Sequence, residues 1–153
     1  MMDIAVTGNR IPAQSQDALR AAYVLQEITA ECPQHDLETS HIIHGGMYAR
    51  TIHMKADTVM AGAFIEVPTV LIIKGDARVL VGDEVKLFTG YNVIPASAGR
   101  KQVFVAVSDL DMTMIFATSA KTVADAENEF TSEADQLMSR HEGSVNFITI
   151  TGE

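Results

Sequence analysis

Residues 70–94 read VLIIKGDARVLVGDEVKLFTGYNVI, and this stretch decides the fold. Short aliphatic runs are interrupted by Gly75-Asp76, Gly82-Asp83 and Thr89-Gly90, which are residues typical of tight turns. Apolar runs separated by such turns predict consecutive antiparallel strands. The same pattern continues on both sides, from residue 53 to residue 118.

The apolar runs of this region define the predicted strands. They are 63–65, 70–73, 78–81, 85–88, 91–94, 103–107 and 112–117. Strands that recur about every 8–12 residues, with Gly or Asp between them, are typical of a sandwich or barrel. The sequence therefore predicts a mainly β protein with a barrel over residues 47–118.

An N-terminal part, residues 1–46, precedes the predicted barrel. It begins with an extended arm over 3–12, followed by a helix over 16–31 that Ser15 or Asp17 caps. The spacing of five apolar residues predicts the buried side of this helix. They are Ala18, Ala21, Ala22, Leu25 and Ile28. A polar linker over 33–46 then leads into the barrel, within one globular domain.

The C-terminal part, residues 119–153, is expected to contain a helix over 122–140 and a strand over 145–150. A final strand has no partner nearby in the sequence, so it has to join an exposed sheet edge. That edge belongs either to a neighbouring subunit or to the same subunit. We expect exchange between subunits, with docking in the same subunit as the alternative.

Composition excludes several classes of function. The chain has 153 residues, which suits one domain, and a net charge of −9, which argues against a nucleic-acid-binding protein. No apolar segment of about 18 residues predicts a membrane span, and the start lacks the pattern of a secretory signal. The single cysteine, Cys32, has no cationic neighbour in sequence, so it is a poor candidate nucleophile and suits a reducing compartment.

Two segments resemble a known group of proteins. Residues 44–50 read HGGMYAR and residues 99–103 read GRKQV. These segments resemble small bacteriophage-encoded proteins of the cupin type, in which a Gly-x-Tyr-Ala-Arg strand enters a double-stranded β-helix. The resemblance covers about residues 33–130. It implies a cupin-like jelly-roll barrel, flanked here by the N- and C-terminal helices, and a phage origin.

The resemblance also indicates where a cupin metal site would lie. Its first motif falls on residues 62–69, GAFIEVPT, where Glu66 is the only possible ligand. Its second motif expects a histidine where this chain has Arg100, Lys101 and Gln102. Two cations repel a divalent ion, so we expect no metal and no cofactor. The pair His41 and His44 is a weak alternative metal site, because residues three apart share a face on a helix but not on a strand.

Four charged residues are the candidate ligand-binding set: Arg50, Glu66, Arg100 and Lys101. The three cations together suit an anion such as a sugar phosphate or a carboxylate. The alternative is that Arg100 and Lys101 are solvated loop charges. Arg50 falls on the more apolar face of its strand, which predicts a buried ion pair with Glu66, Asp109 or Asp111, or else an edge arginine with its head in water.

Acidic residues concentrate late in the chain, either as a solvated helix face or as a docking surface for a basic partner. We expect a non-catalytic, metal-free phage protein that acts through protein contacts. Its expected setting is a homo-oligomeric structural or accessory virion component, placed in the virion or the host cytoplasm. Its partners would be other phage structural proteins or a host protein, with no nucleic acid and no membrane. The alternatives are a ligand-binding or enzymatic cupin that uses the barrel mouth, and a host-directed effector.

Overall fold

The computed structural model describes residues 10–81 and 84–153. The expected arm over 3–12 therefore lies outside the described residues, apart from its last three positions, where Ile11 forms a bridge to Ala96. The turn expected at Gly82-Asp83 also lies outside them. No helix in the described part of the chain is long and apolar enough to cross a membrane.

The described residues form two helices, two short 3-10 turns and ten strands. The helices are α1 (Gln16–Ala30) and α2 (Val123–Phe130), and the turns are Ala134–Gln136 and Met138–Arg140. The strands are β1 (Glu38–His44), β2 (Met47–Met54), β3 (Val59–Ala61), β4 (Thr69–Lys74), β5 (Ala77–Val81), β6 (Glu84–Phe88), β7 (Tyr91–Ala96), β8 (Val103–Ala106), β9 (Leu110–Ala117) and β10 (Val145–Ile150).

The strands form two sheets whose order identifies the fold. One sheet has six strands in the order β10-β1-β2-β9-β4-β7, and the other has four in the order β3-β8-β5-β6. The eight strands β2 to β9 thus divide into β2-β9-β4-β7 and β3-β8-β5-β6, which is the arrangement of an eight-stranded jelly roll. The predicted cupin-like jelly-roll barrel with flanking helices is confirmed. β1 and β10 extend one sheet beyond it.

The core lies between the two sheets and continues to the helix α2. Alternate residues of each strand point inward, so Ile73, Val79 and Leu110 are fully buried. Phe130 of α2 stacks on Tyr48 at a ring distance of 6.5 Å. Aromatic pairs of this geometry add to the energy of burial, and here they fix α2 to β2.

Local sequence patterns located most elements, with three exceptions. Residues 63–65 are not a strand, because only Ile65 pairs there, through a single bridge to Arg100, and the strand of this region is β3, which lies earlier and was not predicted. The segment 33–46 was wrongly predicted as a linker, since β1 occupies half of it. The helix predicted over 122–140 ends at Phe130, because Thr131 has extended backbone angles and the chain continues as two 3-10 turns.

The sequence also made predictions for the cap and the buried side of α1 and for the final strand. Ser15 caps α1 as expected, its hydroxyl accepting from the Ala18 amide at 3.1 Å. Ala21 and Ile28 were wrongly placed on the buried side of α1, since both are exposed. The final strand is confirmed with its predicted bounds, and it lies parallel to β1 of the same chain. In this structure β10 therefore pairs with an edge strand of its own subunit, which was the alternative to exchange between subunits.

Candidate ligand-binding site

A cavity of about 130 Å³ lies inside the barrel, and its walls are mostly apolar. Inward-facing residues of β2, β4, β8 and β9 supply most of the apolar wall, because alternate residues of a strand face the same side. They include Ile52, Leu71, Phe104, Met112 and Met114. The polar part of the wall comes from residues 100–102, which precede β8, from Gln26 of α1, and from Thr39, Arg50, Glu133 and Gln136.

Arg100 is the cation of this cavity without a counter-ion. Its side chain is 2% exposed. Nη1 donates to the Ser97 carbonyl at 2.6 Å and Nη2 donates to the Thr69 hydroxyl at 2.8 Å, so both bonds are to neutral groups. No carboxylate of the described residues lies within ion-pair distance of it. Burial lowers the pKa of Arg100 to about 10, which still leaves it charged at neutral pH.

Two glutamines of the same wall have polar atoms without partners. Nε2 of Gln102, a donor, and Oε1 of Gln26, an acceptor, are buried and find no hydrogen-bond partner among the described residues. The great majority of buried polar groups in proteins are hydrogen-bonded, because a buried group without a partner costs about 1–3 kcal/mol. Arg100 and Gln102 thus both line the cavity, one with a charge that has no counter-ion and the other with an unpaired amide.

Arg50, by contrast, has a carboxylate partner. Its Nη1 lies 2.6 Å from Oε2 of Glu127, and its Nη2 donates to the Ser139 hydroxyl at 2.9 Å. The predicted buried ion pair is confirmed, but its partner is none of the three residues proposed from the sequence. Burial by itself would raise the pKa of Glu127, but bonds from Ser139 and Arg140 and the charge of Arg50 outweigh it and hold this pKa below its usual value.

Lys101 is also engaged. It is 1% exposed, and its Nζ lies 3.2 Å from Oε1 of Glu133 and 4.4 Å from the centre of the Tyr23 ring on α1. Burial lowers the pKa of Lys101, and Glu133 opposes that shift. Burial and the hydrogen bond to Glu133 raise the pKa of Tyr23 to about 12. The expectation of solvated loop charges was thus wrong for both Arg100 and Lys101, because both are buried, Lys101 between Tyr23 and Glu133 and Arg100 beside Ser97 and Thr69.

Glu66 does not join the other three candidates. Its side chain is exposed, and its carboxylate accepts a hydrogen bond from the Ser132 amide. Its own amide donates to the Phe130 carbonyl at 2.8 Å. Glu66 therefore fastens the end of α2 to the barrel, and it does not line the cavity.

His41 and His44 do not form a metal site. Both lie on β1, and because they are three positions apart their side chains point to opposite faces of the sheet. His41 is buried between the Tyr48 hydroxyl and Oδ1 of Asn146, each 2.7 Å away, whereas His44 contacts Thr151 at the surface. Within residues 10–81 and 84–153, no three His, Cys, Asp or Glu side chains are grouped as metal ligands are.

Sequence reasoning missed four residues of the site and its surroundings. Glu127 and Glu133 were placed among the late acidic residues, interpreted as a solvated helix face or a docking surface, although the position of Glu127 next to Ala126 and Phe130 on the buried side of α2 was a usable signal. Gln26 and Gln102 carried no signal, because an amide side chain on a helix or beside a strand is ordinary. Only the structure places both at one cavity.

Comparisons with known proteins concern the fold. No protein-family model and no curated protein matches the chain. Among solved structures, a cupin superfamily protein from Desulfitobacterium hafniense is 11% identical, with 58% of this chain and 84% of that one covered and a TM-score of 0.47. An RmlC-like cupin family protein from Methanocaldococcus jannaschii is 13% identical, with coverages of 57% and 85% and a TM-score of 0.46. A cupin 2 domain-containing protein from Halorhodospira halophila is 14% identical, with coverages of 72% and 87% and a TM-score of 0.47. The strand order of the chain itself assigns the cupin-like double-stranded β-helix.

Proposed function

We propose that the barrel binds a small carboxylate through Arg100, and that it does so without catalysis. One observation carries the proposal: a buried guanidinium with neutral partners faces a largely apolar cavity. A buried cation without a counter-ion is costly, and a bound carboxylate supplies the missing charge. The two existing bonds use two of the five N–H donors of a guanidinium, so donors are left for a ligand.

The size and the wall of the cavity restrict the ligand. A cavity of about 150 Å³ holds benzene, so one of about 130 Å³ takes a ligand of about six non-hydrogen atoms. Nucleotides and sugar phosphates are larger than this. The apolar side chains of Leu71, Phe104 and Met114 suit a short hydrocarbon tail, while Arg100 and the unpaired amide of Gln102 suit the carboxylate. A short-chain fatty acid has both parts.

The test is a thermal-shift titration with acetate, butyrate, isovalerate and benzoate, followed by calorimetry of any acid that binds. We expect butyrate or isovalerate to raise the Tm and acetate to raise it less, because acetate leaves the apolar wall empty. Sugar phosphates, nucleotides and divalent metal ions are run in parallel. A shift with a divalent metal and none with the acids would contradict the proposal.

Matched variants locate the binding. Arg100→Met should abolish the shift, whereas Arg78→Met, which removes an exposed cation from β5, should preserve it. Gln102→Leu should weaken binding severalfold, since it removes one donor but not the charge. If Arg100→Met binds butyrate as the wild type does, the carboxylate is not held where we place it.

We also propose that the barrel functions without a metal ion. The support is the pair of cations, Arg100 and Lys101, buried where the related motif has a histidine ligand. Cations at that position disfavour a divalent ion, whatever the remaining ligands are. Native mass spectrometry of the protein as purified tests this directly, and a bound metal mass would refute it.

A second candidate function is that of an assembly component acting through protein contacts, in keeping with the resemblance to phage proteins. The outer face of the six-stranded sheet favours it, because Ile42, Val70 and Val93 are each 44–54% exposed there. A phage origin and a place in the virion rest on the resemblance alone. Detection of the chain in purified particles would support this candidate, and its absence from them would exclude the virion role.

A further inference from the structure

The outer face of the six-stranded sheet carries exposed apolar side chains on both halves. Ile42 on β1 and Phe147 on β10 lie on one half, and Val70 on β4 and Val93 on β7 lie on the other. These four side chains are 44–56% exposed. In soluble proteins an apolar area that crosses a whole sheet marks a contact surface.

One row of this face also carries charges. Strand register places six outward residues side by side from β10 to β7, namely Val145, Glu38, His53, Asp111, Lys74 and Tyr91. His53 and Asp111 pair with each other at 2.6 Å. Glu38 and Lys74 form no ion pair with any residue in the described part of the chain.

The order of these residues is self-complementary. A two-fold axis parallel to the strands, between β2 and β9, reverses the row when it generates a second copy. Glu38 of one copy then faces Lys74 of the other, and His53 faces Asp111. Sheets packed face to face lie about 10 Å apart at roughly −30°, a gap that the long side chains of glutamate and lysine cross together.

The same axis matches the apolar residues. Ile42 lies on β1, the second strand from one sheet edge, and Val70 lies on β4, the second strand from the other edge. Ile42 of one copy therefore faces Val70 of the other copy across the axis. Phe147 and Val93, which share one row at opposite edges, face each other in the same way. We propose that this face binds a second copy of the chain, as an isologous dimer.

Charge favours a second copy over an unrelated protein as the occupant. The chain has a net charge of −9, so two copies repel each other over most of their surface. The charged row is an exception, because it brings Lys74 of one copy to Glu38 of the other, and Asp111 is already hydrogen-bonded to His53. A two-fold interface needs one patch that complements itself, and this row meets that requirement.

Charge reversal tests the register. Native mass spectrometry and analytical ultracentrifugation of the full chain should show a dimer. Lys74→Glu places a second carboxylate against Glu38 of the other copy, so it should raise the dimer Kd at least tenfold. Glu38→Lys should do the same, and the double reversal E38K/K74E should restore the dimer. Lys121→Glu makes the same charge change on an exposed loop outside the face and should leave the Kd unchanged.

Each other outcome overturns the proposal. A monomeric wild type means that something else covers the face, whether residues 1–9 of the chain or another protein. A dimer that is indifferent to both single reversals uses a different surface. Single reversals that dissociate the dimer without rescue by the double variant would refute the register described here. None of these results depends on whether a carboxylate binds inside the barrel.

Discussion

Arg50 and Glu127 are 77 positions apart in the chain and form an ion pair of 2.6 Å, with side chains that are 5% and 4% exposed. Arg50 stands on β2 and Glu127 on α2, so this contact joins the barrel to the helix that closes it. Arg140 adds a second cation, 2.9 Å from the other oxygen of Glu127. The carboxylate therefore joins β2, α2 and the second 3-10 turn.

Removing one member of this pair should destabilise the fold strongly. Arg50→Met leaves Glu127 buried with Arg140 as its remaining cation, and Glu127→Gln leaves Arg50 uncompensated. Each should cost about 3–5 kcal/mol in the free energy of unfolding, measured by urea denaturation. The double variant R50M/E127L should cost less than the sum, because no buried charge of the pair remains. An unchanged stability in R50M would show that the pair does not hold the helix to the barrel.

Arg100 should behave in the opposite way. Its partners are two neutral oxygens, so Arg100→Met removes a buried charge without leaving another charge unpaired. We expect the free energy of unfolding without ligand to stay within about 1 kcal/mol of the wild-type value, or to rise. Urea denaturation of R100M beside R50M gives the comparison. A loss in the free energy of unfolding as large as that of R50M would indicate that Arg100 stabilises the fold and is not available to bind a ligand.

The hairpins of the barrel could be predicted because their signals are local. Turn residues and β-branched runs alternate along residues 70–94, and β4 to β7 follow them closely. β1 was missed because its inward residues include Thr39 and His41, which are buried here only through contacts with distant residues. His41 needs Asn146, 105 positions away, as a partner. No short stretch of sequence contains that information.

The site was predictable only in part, for the same reason. Arg50, Arg100 and Lys101 were identified from their types and positions, but their different roles depend on which carboxylate each one meets. Glu127 and Glu133 come from the segment after the barrel and neutralise Arg50 and Lys101. Arg100 is left without such a partner among the described residues. Tertiary contacts, and not local pattern, therefore separate the candidate ligand residue from the two structural cations.

Gly75 offers a sharp test of the turn between β4 and β5. Its φ is +119°, and a Cβ added there would lie 2.5 Å from the Asp109 carbonyl oxygen. Gly90 has a φ of +73° with no atom within 4 Å of an added Cβ. Gly90→Ala should therefore cost only the conformational penalty of about 1–2 kcal/mol. Gly75→Ala should cost clearly more, since backbone has to move. Equal losses in thermal denaturation would contradict this contact.

Acid should destabilise the protein through His41. The Nδ2 of Asn146 donates to the Ser139 carbonyl, so its Oδ1 accepts from Nε2 of His41, and the Tyr48 hydroxyl donates to Nδ1. Both ring nitrogens are thus satisfied in the neutral form. Burial lowers the pKa of His41 below its usual value of about 6.5, and the nearby charge of Arg50 acts in the same direction.

The lowered pKa fixes the sign of the pH dependence. The unfolded chain binds the proton of His41 more tightly than the folded chain does, so this contribution is complete above about pH 6.5 and is lost as the pH falls toward the lowered pKa. Urea denaturation at pH 7.5 and 5.5 should therefore show a fall in stability that is smaller in His41→Gln. His35→Gln, at an exposed position, should retain the wild-type fall. The depressed pKa of Glu127 acts in a separate window, below about pH 4.5. An identical fall in His41→Gln and the wild type would show that His41 is not the group that titrates.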